Sequence, residues 1–97
     1  MPFMIRCTDR PGAVELRVAT RAEHLAYLEP HLPRILAAGA LLDDDGQPVG
    51  SLIVFDTEDR AEAEGFAAED PYNRAGLFEA VEVTRWRKVI FDGKICT

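Results

Sequence analysis

The chain is predicted to fold as an α+β domain with its elements in the order β-α-β-β-α-β. Three observations carry that prediction: a compact apolar run near the start, leucines at helical spacing after it, and an acidic turn-rich loop between two hairpin arms, followed by a second helix and a last strand. This order is the ferredoxin-like arrangement, an antiparallel sheet with its helices on one face.

Residues 3–8, "FMIRCT", form the first strand, and "DRPGA" breaks it with Pro and Gly. From about Leu16 to Ala38 the period becomes helical, with Leu25, Leu28, Leu32 and Ile35 in one apolar stripe. Thr20 is the expected N-cap, with Glu23 completing a capping box, and Gly39 the expected C-cap. Pro30 and Pro33 each remove an N–H, which predicts a kink or break near Tyr27 to Glu29. "ALLDDDGQPVGSLIVFDT" reads as a hairpin; in its second arm Ser51, Ile53 and Phe55 face one way, Leu52 and Val54 the other. "EDRAEAEGFAAE" is a second helix, with Ala61, Phe66 and Ala67 as core contacts and Gly65 as a weak spot. "LFEAVEVTRW" is a long strand, and "KVIF" its continuation or a short fifth one.

The 97 residues make one domain, 1–97, with 47% hydrophobic and 29% charged residues, a globular rather than disordered composition. Seventeen acidic against eleven basic residues leave a net charge of −6, which disfavours nucleic acid and anionic membrane as partners. No run approaches the ~20 apolar residues of a membrane span, and "MPFMIRCTDRPG" lacks the features of a signal peptide, so a cytoplasmic location is expected. Cys7 and Cys96 read as reduced thiols, with Cys7 packed as a small hydrophobe.

Two helices cover one face of a four-stranded sheet, yet the third strand is apolar on both. A second copy of the chain is the economical cover, which predicts a homodimer with its sheets face to face.

Few residues carry chemistry. His24 borders the apolar stripe, where an imidazole is ordered yet reachable; on spacing alone an ordinary boundary histidine hydrogen-bonded to backbone is the favoured reading over a catalytic one. His31 lies seven residues on, too far to chelate a metal with it, and no cofactor or phosphate-loop motif is present. Ser51 follows Gly50 in what reads as hairpin chemistry. In "AEDPYNRAGL", Asp70 before Pro71 has the form of a helix start, so capping alone would account for it.

"RAEHLAYL", "GALL", "GSLIVFD" and "DPYNRAGLFEAVEVTRWRKVI" together resemble the YciI-like (YCII-related) proteins of the dimeric α/β-barrel superfamily, over roughly residues 3–91. The motif pair is R-x-x-H, met by Arg21 and His24, with D-P-Y-x-x-A-G-[LV], met by Asp70 to Leu77. The resemblance implies ferredoxin-like dimers with a His–Asp pair in a cleft, hence His24 and Asp70 as catalytic residues. It implies Ser51 as a pocket residue and Tyr72 and Arg21 as its neighbours in substrate binding. A carboxylate on one imidazole nitrogen fixes the tautomer and leaves the other free for proton transfer. The expected function is therefore an isomerase- or lyase-type enzyme acting on a small hydroxylated aromatic or enolic molecule. The alternative is a non-catalytic, small-metabolite-binding dimer in which His24 and Asp70 form a structural bond.

Overall fold

The computed structural model describes residues 1–96. β1 (Phe3–Asp9) leads through a Pro11–Gly12 turn into α1 (Val14–Leu28) and a 3-10 segment (Glu29–Arg34). β2 (Ile35–Leu42) and β3 (Pro48–Phe55) form the hairpin, followed by α2 (Arg60–Glu69), the single turn α3 (Pro71–Arg74) and β4 (Phe78–Arg85). The sheet order is β2-β3-β1-β4, antiparallel throughout, which is the ferredoxin-like fold read from the sequence. β5 (Ile90–Phe91) and β6 (Lys94–Ile95) form a separate ribbon closed by Asp92 and Gly93, both at positive φ as a two-residue hairpin loop requires.

The first helix differs from expectation at both ends. It begins at Val14, so Thr20 lies inside it, and the Thr20 hydroxyl donates to the Leu16 carbonyl at 2.8 Å instead of capping. The break at Tyr27 to Glu29 is present, since α1 ends at Leu28, but no helix resumes after it. Pro30 and Pro33 turn the chain through the 3-10 segment, Leu32 points to solvent, and Ile35 opens β2. Gly39 is mid-strand, opposite Leu52, not a C-cap. The alanine-rich "ILAAGALL" has helical propensity, but pairing with β3 satisfies its backbone and overrides it.

The core lies between sheet and helices. Phe3, Ile5 and Cys7 of β1 and Ile53 and Phe55 of β3 meet Leu28, Ala63, Phe66, Ala67 and Tyr72. Phe55 and Phe66 stack with centroids 4.3 Å apart. In α2, Ala63 takes the buried place expected of Ala61, which is exposed, because Asp59 caps the helix and sets its phase. On the other face of the sheet, Leu52 and Val54 with Ala37, Gly39 and Leu41 line a shallow apolar hollow over β2 and β3. The β1–β4 half of that face carries Arg6, Thr8, Glu82 and Thr84.

Candidate functional site

A cleft of about 220 Å³ opens between α1 and the β2–β3 edge of the sheet. Strand register explains why it is there. Ala40 lies opposite Ser51 and Ala38 opposite Ile53, so the edge strand offers only methyl groups beneath α1. Larger side chains at 38 and 40 would fill the space. Arg17, Arg21, His24, Ser51 and Tyr72 all reach the cleft.

Along α1, Arg17, Arg21 and His24 recur at i, i+4 and i+7, which puts them on one helix face. Asp70 comes from the junction of α2 and α3. Its Oδ1 accepts from the Tyr72 backbone N–H at 2.9 Å, capping α3 as a turn-forming Asp-Pro should. The same carboxylate lies 2.9 and 3.0 Å from His24 Nδ1 through its two oxygens. Capping and holding the histidine are therefore one arrangement. Against an ionised carboxylate, which can only accept, Nδ1–H is the donor, and in the neutral ring this leaves Nε2 its lone pair. The Asp70 side chain is 4% exposed and that of His24 11% exposed, so the acid is sealed while the imidazole stays at the cleft wall.

Tyr72 stacks on His24 with ring centroids 4.0 Å apart and planes inclined by 16°, which restricts the imidazole to one orientation. The Arg17 guanidinium lies 4.6 Å from the same Tyr72 ring. Burial pushes the Tyr72 phenol pKa up, with Arg17 and Arg21 opposing the shift in part, so it stays a neutral hydroxyl.

Spacing arguments did not single out the second buried pair, Asp9 and Arg17. Arg17 Nε donates to Asp9 Oδ2 at 2.7 Å and its Nη2 to Oδ1 at 3.0 Å, a bidentate contact. Arg17 Nη2 also donates to Ser51 Oγ at 2.8 Å. Burial works against the Arg17 charge, but the Asp9 hydrogen bonds and charge outweigh it and raise its pKa. The available signal was the Arg-x-x-x-Arg-x-x-His spacing; Asp9 closes the inward face of β1, visible only once its partner is known. Gly50, which reads as a hairpin glycine, serves close packing instead: a Cβ there would lie 2.3 Å from the Cys7 carbonyl oxygen. Cys7 lies opposite Ser51, and burial, with Asp70 and Asp9 nearby, pushes its thiol up to about 12, so it is no nucleophile at neutral pH. Cys7 and Cys96 are both free thiols.

An uncharacterised protein of Haemophilus influenzae is 34% identical to this chain, covering 92% of it and 99% of that protein. Protein YciI of Escherichia coli is 32% identical with the same coverage. Among solved structures, the 5-chloro-2-hydroxyhydroquinone dehydrochlorinase of Burkholderia phenoliruptrix, in complex with 2,5-dihydroxybenzoquinone, is 39% identical with a TM-score of 0.83, covering 90% of this chain and 94% of that one. A candidate antibiotic biosynthesis monooxygenase of Bacteroides thetaiotaomicron superposes with a TM-score of 0.58 at 17% identity, over 99% of this chain and 95% of that one, a likeness of fold alone. The family defined by the YCII-related domain matches residues 1–87, the whole of the four-stranded sheet and its helices, and the chain belongs to it.

Proposed function

We propose that this protein is a homodimeric enzyme that moves a proton on a small hydroxylated or enolic molecule, with His24 as the base and Asp70 holding its ring. The observation that carries this reading is the paired contact of His24 Nδ1 with both Asp70 oxygens at the wall of an open cleft. Nε2 takes a proton from the substrate, and the released electron pair either shifts the double bond or expels a leaving group. Ser51, Tyr72 and Arg21 contact the substrate. At about 220 Å³ the cleft is smaller than the ~300–1,000 Å³ of sites for drug-sized ligands, which favours a single ring. The 39% identical dehydrochlorinase makes elimination of hydrogen halide from a hydroxylated ring the first reaction to test. A second copy covers the apolar hollow around Leu52 and Val54.

The test is chloride release from 5-chloro-2-hydroxyhydroquinone. The wild type is expected to accelerate it, and His24→Ala to lose ~10²–10⁴-fold, the usual worth of a general base. A His24→Ala protein that turns over at the wild-type rate contradicts the assignment. The binding-module reading draws on Asp70 as the cap of α3, a sufficient structural role for that residue. It predicts a tight metabolite complex with no turnover.

A further inference from the structure

The sheet order leaves β4 with β1 on one side only. The Trp86 N–H donates to the Pro2 carbonyl at 2.9 Å on the β1 side, and Arg60 Nη1 donates to the Val83 carbonyl at 2.8 Å from the other side. The alternation of an antiparallel ladder therefore turns the backbone groups of Val81 and Val83 out to the free edge. Their side chains lie on the helix side of the sheet, Val81 opposite buried Cys7 and Val83 opposite buried Ile5. α2 does not reach over them. Its buried residues, Ala63, Phe66 and Ala67, pack on the core, and a groove of about 300 Å³ is left between α2 and β4. Val81, Val83, Ala68 and Glu64 line it, and Val81 stays 39% exposed on the face that the helices should cover. An apolar groove beside an unpaired strand edge is the form in which a sheet accepts an added strand.

The same chain carries a complementary element. In the β5–β6 ribbon Ile90 lies opposite Ile95, so both side chains share one face, and they are 68% and 76% exposed. The ribbon packs chiefly on itself. The Trp86 bond to Pro2 keeps the chain on the β1 side as it leaves the sheet, which directs the ribbon past the sheet's end and not back along its own free edge. Its charge opposes that of the body. Arg87, Lys88 and Lys94 stand against Asp92 alone, in a chain of net charge −6. Beside the groove, Glu64 of α2 and Glu79 and Glu82 of β4 have no ion pair among the described residues. We propose that the ribbon of one copy of this chain docks on the α2–β4 groove of a second copy, extending its sheet at β4 with Ile90 and Ile95 over Val81 and Val83. Exchange about a twofold axis fills both grooves with both ribbons, a closed arrangement. The contact lies apart from the apolar hollow on the opposite face of the sheet. Two isoleucines cover far less than the ~1,200 Å² of a stable interface, so the ribbon tightens a pair of copies without holding it alone.

The experiment joins two full-length chains through a thiol bridge. One chain, with its own affinity tag, has Glu64→Cys and Cys96→Ser; the other, with a different tag, keeps its exposed Cys96 beside Ile95 on the ribbon. The two are co-expressed, and a short bismaleimide is added at neutral pH, where buried Cys7 does not react. A covalent pair carrying both tags is expected. Ile90→Asp with Ile95→Asp on the Cys96 chain should reduce it at least tenfold, and high salt should weaken it, because basic ribbon meets acidic groove. Both isoleucines are exposed, so the variant keeps its fold, as circular dichroism checks. No pair with both tags at millimolar protein, or a pair that the two aspartates leave unchanged, overturns the proposal. So does a chain with Glu64→Cys and its own Cys96 that bridges only within itself. Sedimentation separates this contact from the dimer of the proposed function. A wild type of twice the chain mass that gives no pair with both tags refutes the ribbon contact and spares that dimer. A pair with both tags from a chain that sediments as a monomer at micromolar concentration does the reverse.

Discussion

Aspartate 70 has one short side chain and two duties, and both follow from its oxygens: one caps α3 through the Tyr72 N–H, and the pair holds His24. The cap was legible in Asp-Pro itself, while the partnership with His24 was legible only through the family resemblance, because nothing local spans 46 residues of chain. Asp9 and Arg17 escaped for the same reason: an acid closing a strand and an arginine opening a helix each look like solvated charge until the fold joins them. Glycine 50 has a sharper consequence. Its missing Cβ permits contact with the Cys7 backbone, so Gly50→Ala should cost about 1–3 kcal/mol in urea unfolding, as overpacking does, and should lower turnover by shifting Ser51 beside it. The cysteines make an independent check. A thiol reagent at neutral pH should label one site per native chain, the exposed Cys96, and reach buried Cys7 only on unfolding. Because the folded Cys7 pKa is raised to about 12, its contribution to stability is complete below the ordinary thiol value of about 8.5 and is lost as pH climbs between the two. Cys7→Ala should therefore flatten the alkaline limb of a stability-against-pH curve.

At the scale of elements, the apolar strands β1 and β3 were readable, whereas the alanine-rich one was read only in part: Ala40–Leu42 as a hairpin arm, Ile35–Gly39 as the end of a helix. β1, read as a compact apolar run, buries every second residue, whereas "ILAAGALL" has neither alternation nor β-branched bulk apart from Ile35. Pairing with β3 makes it a strand, and its small side chains then open the cleft. The feature that hid the strand is the one that creates the site. Caps behave likewise: Asp59 accepts from the Ala61 N–H at 2.9 Å and starts α2, whereas Thr20, which has the sequence of a cap, bonds back inside α1. Asp59→Ala should lower stability by about 1 kcal/mol in chemical denaturation, and Thr20→Val by clearly less. Equal losses would mean that the helix begins where Thr20 first suggested.

For the whole molecule, the sheet leaves an apolar hollow on β2 and β3 beside a polar half on β1 and β4. Exposed Val89, Ile90 and Ile95 gather on the C-terminal ribbon, a two-stranded element that is marginal by itself. Both features favour association, so sedimentation at micromolar concentration should return twice the chain mass. Leu52→Glu should return a folded monomer, because the charge falls in the hollow and not in the core. A wild-type monomer would contradict the dimer. The site depends on the fold in the same global way, since α1 and the α2–α3 junction lie far apart along the chain and pack together in the folded structure. The most direct measurement of that meeting is a long-range proton–nitrogen NMR spectrum of the His24 ring. The account predicts a proton on Nδ1 and a bare Nε2, with that preference lost in Asp70→Asn. A wild-type ring protonated on Nε2 alone, or a tautomer indifferent to Asp70, would contradict it.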